Sequence, residues 1–389
     1  MEWDSCSLST ISGFCDQVIP DTEQSNMDTK KEIKSLTGIR GIAACWIVAY
    51  HTWLAGNHRV SGYIGTFLLH GYLAVDLFFI LSGLVMSMSY GHLFEKRWEV
   101  SDYFSLMIRR IARLWPLYIV TLIVTGILTY FIEGKTFPVV VWLANFMMIQ
   151  TWGIGESING ASWSVSVEWA VYFIFPFIFF PALKMHRIVP FVSFFILVLI
   201  IKIGENSGIQ RKGPLDIFDP HSALPLMRCF AEFLLGMICY RITFSEYGFF
   251  HSKLISVIIQ SVTFASLFVS GMDIVSVFLF SSCLVTLTNE RNYLSRIVSW
   301  TPIYYLGVWS YAIYLWHRSF LFMIGDVWNG HHTVLRPMII FIILLIVSCL
   351  SYYFIEQPWQ KKIRRLDRVF SQKSYRGIKI SDNIGVNNL

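Results

Sequence analysis

LTGIRGIAACWIVAYHTWLAG, residues 36 to 56, is mostly apolar. At about 1.5 Å of rise per residue it is long enough to cross a bilayer as a helix. It nevertheless carries Arg40 near one end and His51 near the other. A charged or titratable side chain is costly at hydrocarbon depth, so it faces the interior of a helix bundle rather than lipid. This one stretch therefore predicts an all-α membrane fold with polar groups turned into it.

Composition extends that reading to the whole chain. Of 389 residues, 55% are hydrophobic, 16% aromatic and only 14% charged, whereas about a quarter of a soluble domain is charged. A span needs about twenty mainly apolar residues. Segments 36–56, 69–90, 115–132, 163–183, 187–203, 223–241, 253–270, 273–289, 302–324 and 336–356 fit that description. The expected fold is a polytopic transmembrane helix bundle of about ten spans. VVVWLANFMMIQ, residues 139–150, is too short to span and reads as interfacial or re-entrant. Residues 34–360 form one membrane domain in this reading, between a polar cytoplasmic tail, 1–33, and a basic cytoplasmic tail, 361–389. The first tail lacks an apolar signal core, so the first span is expected to act as an uncleaved anchor.

With the N-terminus inside and the spans alternating, most of the 31 Lys and Arg residues fall on the inner face. That asymmetry follows the positive-inside rule and makes both termini cytoplasmic. The formal charge of +6 belongs to this inner rim and requires no nucleic acid. The seven cysteines are divided between the N-terminal tail and the spans, without a disulfide framework or a metal-ligand spacing. His331 and His332, neighbours in the last outer loop, lack the further ligands that a metal site needs.

Within the spans, His51, Asp76, Glu168, the Arg228 and Glu232 pair, and His317 reach a common layer in the outer half. Their depths agree to within about one helical turn, ~5 Å. Such a layer is either a functional site or a set of buried pairs fixing helix packing, Arg228 and Glu232 at i, i+4 being the plainest pair. On the inner side, SDYFSLMIRRIARL, residues 101–114, has the apolar and basic spacing of a helix lying on the membrane surface. Arg110 and Arg113 share one of its faces, where they suit either anionic lipid headgroups or a bidentate phosphate clamp.

The step from Arg40 to His51 is three helical turns plus about 20°, so both lie on one face, ~16 Å apart. A ligand touching both would be long and thin, with an anionic head and a reactive tip. Acyl-coenzyme A has that shape, and an imidazole at its thioester could act as general base toward a hydroxyl.

Six segments in order extend the argument: LTGIRGIAACWIVAYH (36–51), HGYLAVDLFFILSG (70–83), RRIARLWPLY (109–118), SWSVSVEW (162–169), YLGVWSYAIYLWH (305–317) and FIEQP (354–358). Together they resemble acyltransferase family 3 of integral membrane O-acyltransferases, found largely in bacteria, over nearly all of residues 34–360. The resemblance implies a CoA-linked acyl donor approached by Arg40, Arg110 and Arg113, and a catalytic histidine at His51. Asp76 and Glu168 also fall in its motifs. One carboxylate, Asp76 first, is expected to orient His51 and stabilise its imidazolium. Glu168 would then hold the acceptor hydroxyl or serve as a second acid or base.

Trp163, Ser166 and His317 are the candidates for binding the acceptor, although Trp152, Trp163 and Trp169 fit an interfacial aromatic belt equally well. Arg318 and Glu356, near span ends, suit snorkelling or pairing. The expected activity moves an acyl group, acetyl first, from cytoplasmic acyl-CoA to a carbohydrate hydroxyl at the outer side of a bacterial inner membrane. Acetyl-CoA would be a co-substrate, with no permanently bound cofactor. Acceptors of this kind include O-antigen of lipopolysaccharide, exopolysaccharide and lipid-linked glycan. A small acceptor such as a macrolide or oligosaccharide keeps the same chemistry. A transporter or flippase would use the buried charges without a covalent step, but the chain has no internal repeat of the kind common in transporters.

Overall fold

Helix α1, Lys34–Ala55, runs unbroken through the stretch that holds Arg40 and His51. The structure is a computed structural model, and it describes residues 32–55, 60–95, 98–217, 219, 221–244, 250, 252–325, 335–363 and 365. His331 and His332 lie outside the described residues, as does most of both tails. The helices all belong to the unit formed by residues 34–389. Among the described residues the only β pairing is one isolated bridge, between Gln210 and Ile217.

Each apolar segment of the sequence coincides with helix, but several boundaries differ from expectation. The second is longer: α2, Gly62–Leu69, tightens into a 3-10 turn, His70–Leu73, and continues as α3, Ala74–Phe94. The segment 101–114 is not a separate surface helix but belongs to the first half of α4, Val100–Glu133. A capping box between Glu99 and Asp102 starts α4, and Gly134 in the left-handed region stops it. Nothing between those signals breaks it, since Pro116 is accommodated within the helix. At 34 residues it is about 50 Å long. The short α5, Val139–Phe146, follows, and then α6, Trp163–Lys184, α7, Val189–Ser207, and α8, Leu224–Thr243.

Two shorter helices, α9 (Lys253–Ser266) and α10 (Asp273–Leu287), have 14 and 15 residues. They precede α11, Tyr293–Val298. The ninth expected span is broken at Trp309 into α12, Thr301–Val308, and α13, Ser310–Gly325. The tenth, α14, Leu335–Ser351, passes into a π-helical turn, Tyr352–Glu356. Among the described residues, five helical stretches are long and apolar enough to cross a membrane: 62–94, 100–133, 163–184, 189–207 and 337–363. The chain is thus a polytopic all-α bundle. α1 is not among those five stretches, and α9 and α10 are shorter than a span requires.

Exposed apolar side chains coat the perimeter, as on α7 with Phe191, Phe195 and Leu199 and on α14 with Ile339, Ile342 and Ile346. A surface of this kind faces lipid rather than water. Inside, α8 packs on α3, α6, α7 and α10, while α1 packs on α12, α13 and α3. Small residues let these backbones touch. A Cβ on Gly236 of α8 would overlap the Ile80 carbonyl of α3, and one on Gly307 of α12 would overlap the Thr37 carbonyl of α1.

Candidate active site

The close packing of α1 against α13 and α3 leaves two cavities, stacked along one face of α1. The smaller, about 120 Å³, is lined by Arg40, Arg110 and Arg113 from α1 and α4, by Ser164, Glu168 and Tyr172 from α6, and by Tyr311 and Tyr314 from α13. The three arginines proposed from sequence therefore converge. Arg110 donates to the Tyr90 hydroxyl at 2.7 Å and lies over the Tyr90 and Tyr172 rings, 4.7 and 5.6 Å from their centroids. Arg113 is held by Glu356, 2.8 Å away, which the π-helical turn at the end of α14 carries toward it. Arg40 donates no hydrogen bond to any described residue.

Glu168 belongs to this arginine-lined cavity and accepts a hydrogen bond from Tyr172 on the next turn of α6. It is not beside His51. Ser166 is turned away from both cavities: its Oγ accepts the Thr151 N–H at 3.2 Å, and its carbonyl accepts the Trp152 indole N–H at 2.9 Å. The loop that these bonds secure is tied in turn to α13, where the Asn159 amide donates to the Leu315 carbonyl at 3.0 Å. The start of α6 is fixed in this way. Trp169 is buried against Phe173, their centroids 4.8 Å apart.

The larger cavity, about 880 Å³, is lined by His51, Tyr50, Tyr72, Trp163, Arg211, Lys212, Asp216, Arg228, Tyr314, His317 and Arg318, among others. Its size falls within the range of small-ligand pockets. The His51 and His317 rings are 5.0 Å apart. His51 Nδ1 is 3.0 Å from the Ile47 carbonyl, and His317 Nδ1 is 2.5 Å from that of Tyr314. A carbonyl can only accept, so each Nδ1 carries the proton of the neutral ring and each Nε2 carries the lone pair. His317 Nε2 is buried and has no hydrogen-bond partner among the described residues.

Asp76 corrects one expectation. Both of its oxygens are engaged by the Arg228 guanidinium, with Nε at 2.9 Å on Oδ1 and Nη2 on Oδ2. Arg228 Nε also lies 3.5 Å from Glu232 Oε1. Asp76 orients Arg228 rather than His51, whose Nδ1 is occupied by a backbone carbonyl. The layer seen in the sequence divides in space: Glu168 lies with the arginines, His51 and His317 share the larger cavity, and Asp76, Arg228 and Glu232 form a buried cluster that reaches the larger cavity through Arg228.

Several site residues escaped sequence reading. The loop 209–217 forms part of the larger cavity through Arg211, Lys212 and Asp216. Tyr50, adjacent to His51, donates to Asp216 Oδ2 at 2.8 Å. Burial raises the Asp216 carboxyl above its ordinary value, against the opposing pull of the Tyr50 hydroxyl, Arg228 and Arg211. Asp273 anchors the same loop, accepting the Leu215 N–H at 2.9 Å and the Tyr72 hydroxyl at 2.5 Å. The i, i+4 spacing of Glu168 and Tyr172 and the i, i+3 spacing of Tyr314 and His317 were available signals. The loop contacts were not, because their partners are distant in the chain.

A family model described as an acyltransferase domain matches residues 33–356. The chain is 32% identical to the acyltransferase MdmB of Streptomyces mycarofaciens over 159 residues, 37% of this chain and 38% of that protein. It is 23% identical to the peptidoglycan O-acetyltransferase OatA of Listeria monocytogenes over 371 residues, 86% of this chain and 56% of that protein. The chain thus spans little more than half the length of the more fully covered relative. No solved structure matches it.

Proposed function

The chain belongs to the acyltransferase domain family, and from that membership we propose that it transfers an acyl group, acetyl first, from acyl-CoA to a carbohydrate hydroxyl. The observation that carries the reading is the pair of cavities along α1, one presenting three arginines and the other two imidazoles with free lone pairs. Guanidinium groups suit phosphates because they bind bidentately and stay charged. Arg40, Arg110 and Arg113 would hold the CoA phosphates on the cytoplasmic side, and the pantetheine arm would run along α1 toward His51. The larger cavity has the volume and mixed polar lining that a sugar needs.

The chemistry follows from the tautomer of His51. Its Nε2 lone pair takes the proton from the acceptor hydroxyl as that oxygen forms a bond to the thioester carbonyl carbon. The C–S bond then breaks, and the imidazolium returns the proton to the departing CoA thiolate. The products are an acyl ester and free CoA. The peptidoglycan acceptor in the name of the Listeria relative supports a surface glycan as acceptor here, with O-antigen, exopolysaccharide and lipid-linked glycan in the same chemical class. A bacterial inner membrane with both termini cytoplasmic completes the proposal.

Purified protein in lipid nanodiscs, given radiolabelled acetyl-CoA and a glycan panel, tests it. His51→Ala should lower transfer about 10²- to 10⁴-fold, the usual contribution of a general base, while purifying and folding as wild type does. Undiminished transfer would remove His51 from the chemistry, and movement of glycan without CoA release would favour a flippase.

A further inference from the structure

Tyr314 is the one described residue that lines both cavities. On α13 it sits at the crossing of two series. Ser310, Tyr311 and Tyr314 face the arginine-lined cavity, and Tyr314, His317, Arg318 and Leu321 face the histidine-lined one. This is the i, i+3, i+4, i+7 periodicity of a single helix face, so α13 runs past both chambers with Tyr314 where they meet.

The ring is buried and held on several sides. Its hydroxyl lies 2.8 Å from Ser164 Oγ in the wall of the arginine-lined cavity. Phe78, from the same wall, meets it edge-on with centroids 5.8 Å apart. On the other side the His317 ring stands 5.5 Å away, and its Nδ1 donates to the Tyr314 carbonyl. A buried tyrosine whose hydroxyl is bonded and whose ring is packed does not change rotamer freely.

Resting on the acyltransfer reading above, we propose that Tyr314 determines which acyl chain the enzyme accepts, with Phe78 packed edge-on against its ring. A thioester held by its CoA phosphates at the arginines can meet an acceptor beside His51 only at this junction. A two-carbon acyl group passes beneath the ring. Each further methylene requires space that the Tyr314 and Phe78 rings occupy, and one methylene in a close-fitting apolar site is worth about 10- to 200-fold in discrimination.

The test compares kcat/KM for acetyl-, butyryl- and hexanoyl-CoA, read as release of CoA thiol by the full chain in nanodiscs. Tyr314→Ala should shift the hexanoyl-to-acetyl ratio upward by at least ~10-fold. Tyr314→Phe, which keeps the ring, should leave that ratio near wild type. Phe78→Ala widens the same passage without touching Tyr314 and should shift the ratio in the same direction, so the proposal does not depend on one variant folding. An unchanged ratio in variants that still use acetyl-CoA would overturn it. Loss of turnover on every chain length in a folded Tyr314→Ala protein would overturn it as well. Wild-type protein that releases no CoA from any thioester defeats the acyltransfer reading itself, and this inference with it.

Discussion

At the scale of single residues, the clearest division is between Asp76, which builds the fold, and the imidazoles of His51 and His317, which face a cavity. Asp76 was the expected partner of His51 because the spans that carry them are consecutive. It is instead fully buried and gripped by Arg228, which is 152 positions away in the chain. Removing one partner of a buried pair leaves an uncompensated charge and costs about 3–5 kcal/mol. Asp76→Ala is therefore expected to reduce folded yield and thermal stability in detergent before any effect on turnover can be read. Combining Asp76→Ala with Arg228→Met and Glu232→Gln should recover part of that loss, because no charged member of the cluster is then left buried without its partner. Fluorescence-detected size exclusion and a thermal ramp measure both. A stable, monodisperse Asp76→Ala protein that fails only in turnover would return Asp76 to a catalytic role.

At the scale of elements, α1 was legible almost to the residue, because one apolar run with a three-turn polar spacing permits little besides a helix with one polar face. The start of α4 was not. The apolar and basic spacing of residues 101–114 describes a helix lying on a membrane surface equally well as the end of a long span, and only the capping signals at Glu99 and Gly134 distinguish the two. Helix depth could also be estimated from rise per residue, whereas rotation about the axis and long-range pairing could not. That is why Glu168 and His51 seemed to share a layer and instead line different cavities. Close approach between elements yields a direct prediction. Gly236→Ala places a Cβ against the Ile80 carbonyl at the α3–α8 contact, whereas Gly155→Ala meets only Val141 Cγ2 at 3.6 Å, an ordinary contact. The first should destabilise by about 1–3 kcal/mol, as overpacking does, and the second should be nearly silent; equal melting temperatures would contradict the close packing of α3 on α8.

At the scale of the whole molecule, the helices leave an arginine-lined cavity and a histidine-lined cavity, with α1 and α13 running past both. The composition predicted a membrane bundle and the ordered motifs predicted the acyltransferase family, but the two-cavity plan depends on tertiary contacts such as those that pin the loop 209–217 to Asp273 and Tyr50. If the account is right, donor and acceptor approach from opposite faces and meet across the junction at Tyr314. Sided proteoliposomes measure this directly, with labelled acetyl-CoA enclosed on the face of Arg40, Arg110 and Arg113 and an impermeant glycan acceptor on the other. The account predicts acetylated glycan in the outer compartment, lost with His51→Ala and recovered for Arg40→Ala at raised acetyl-CoA concentration. Acetylation that requires both substrates on the same face would contradict it.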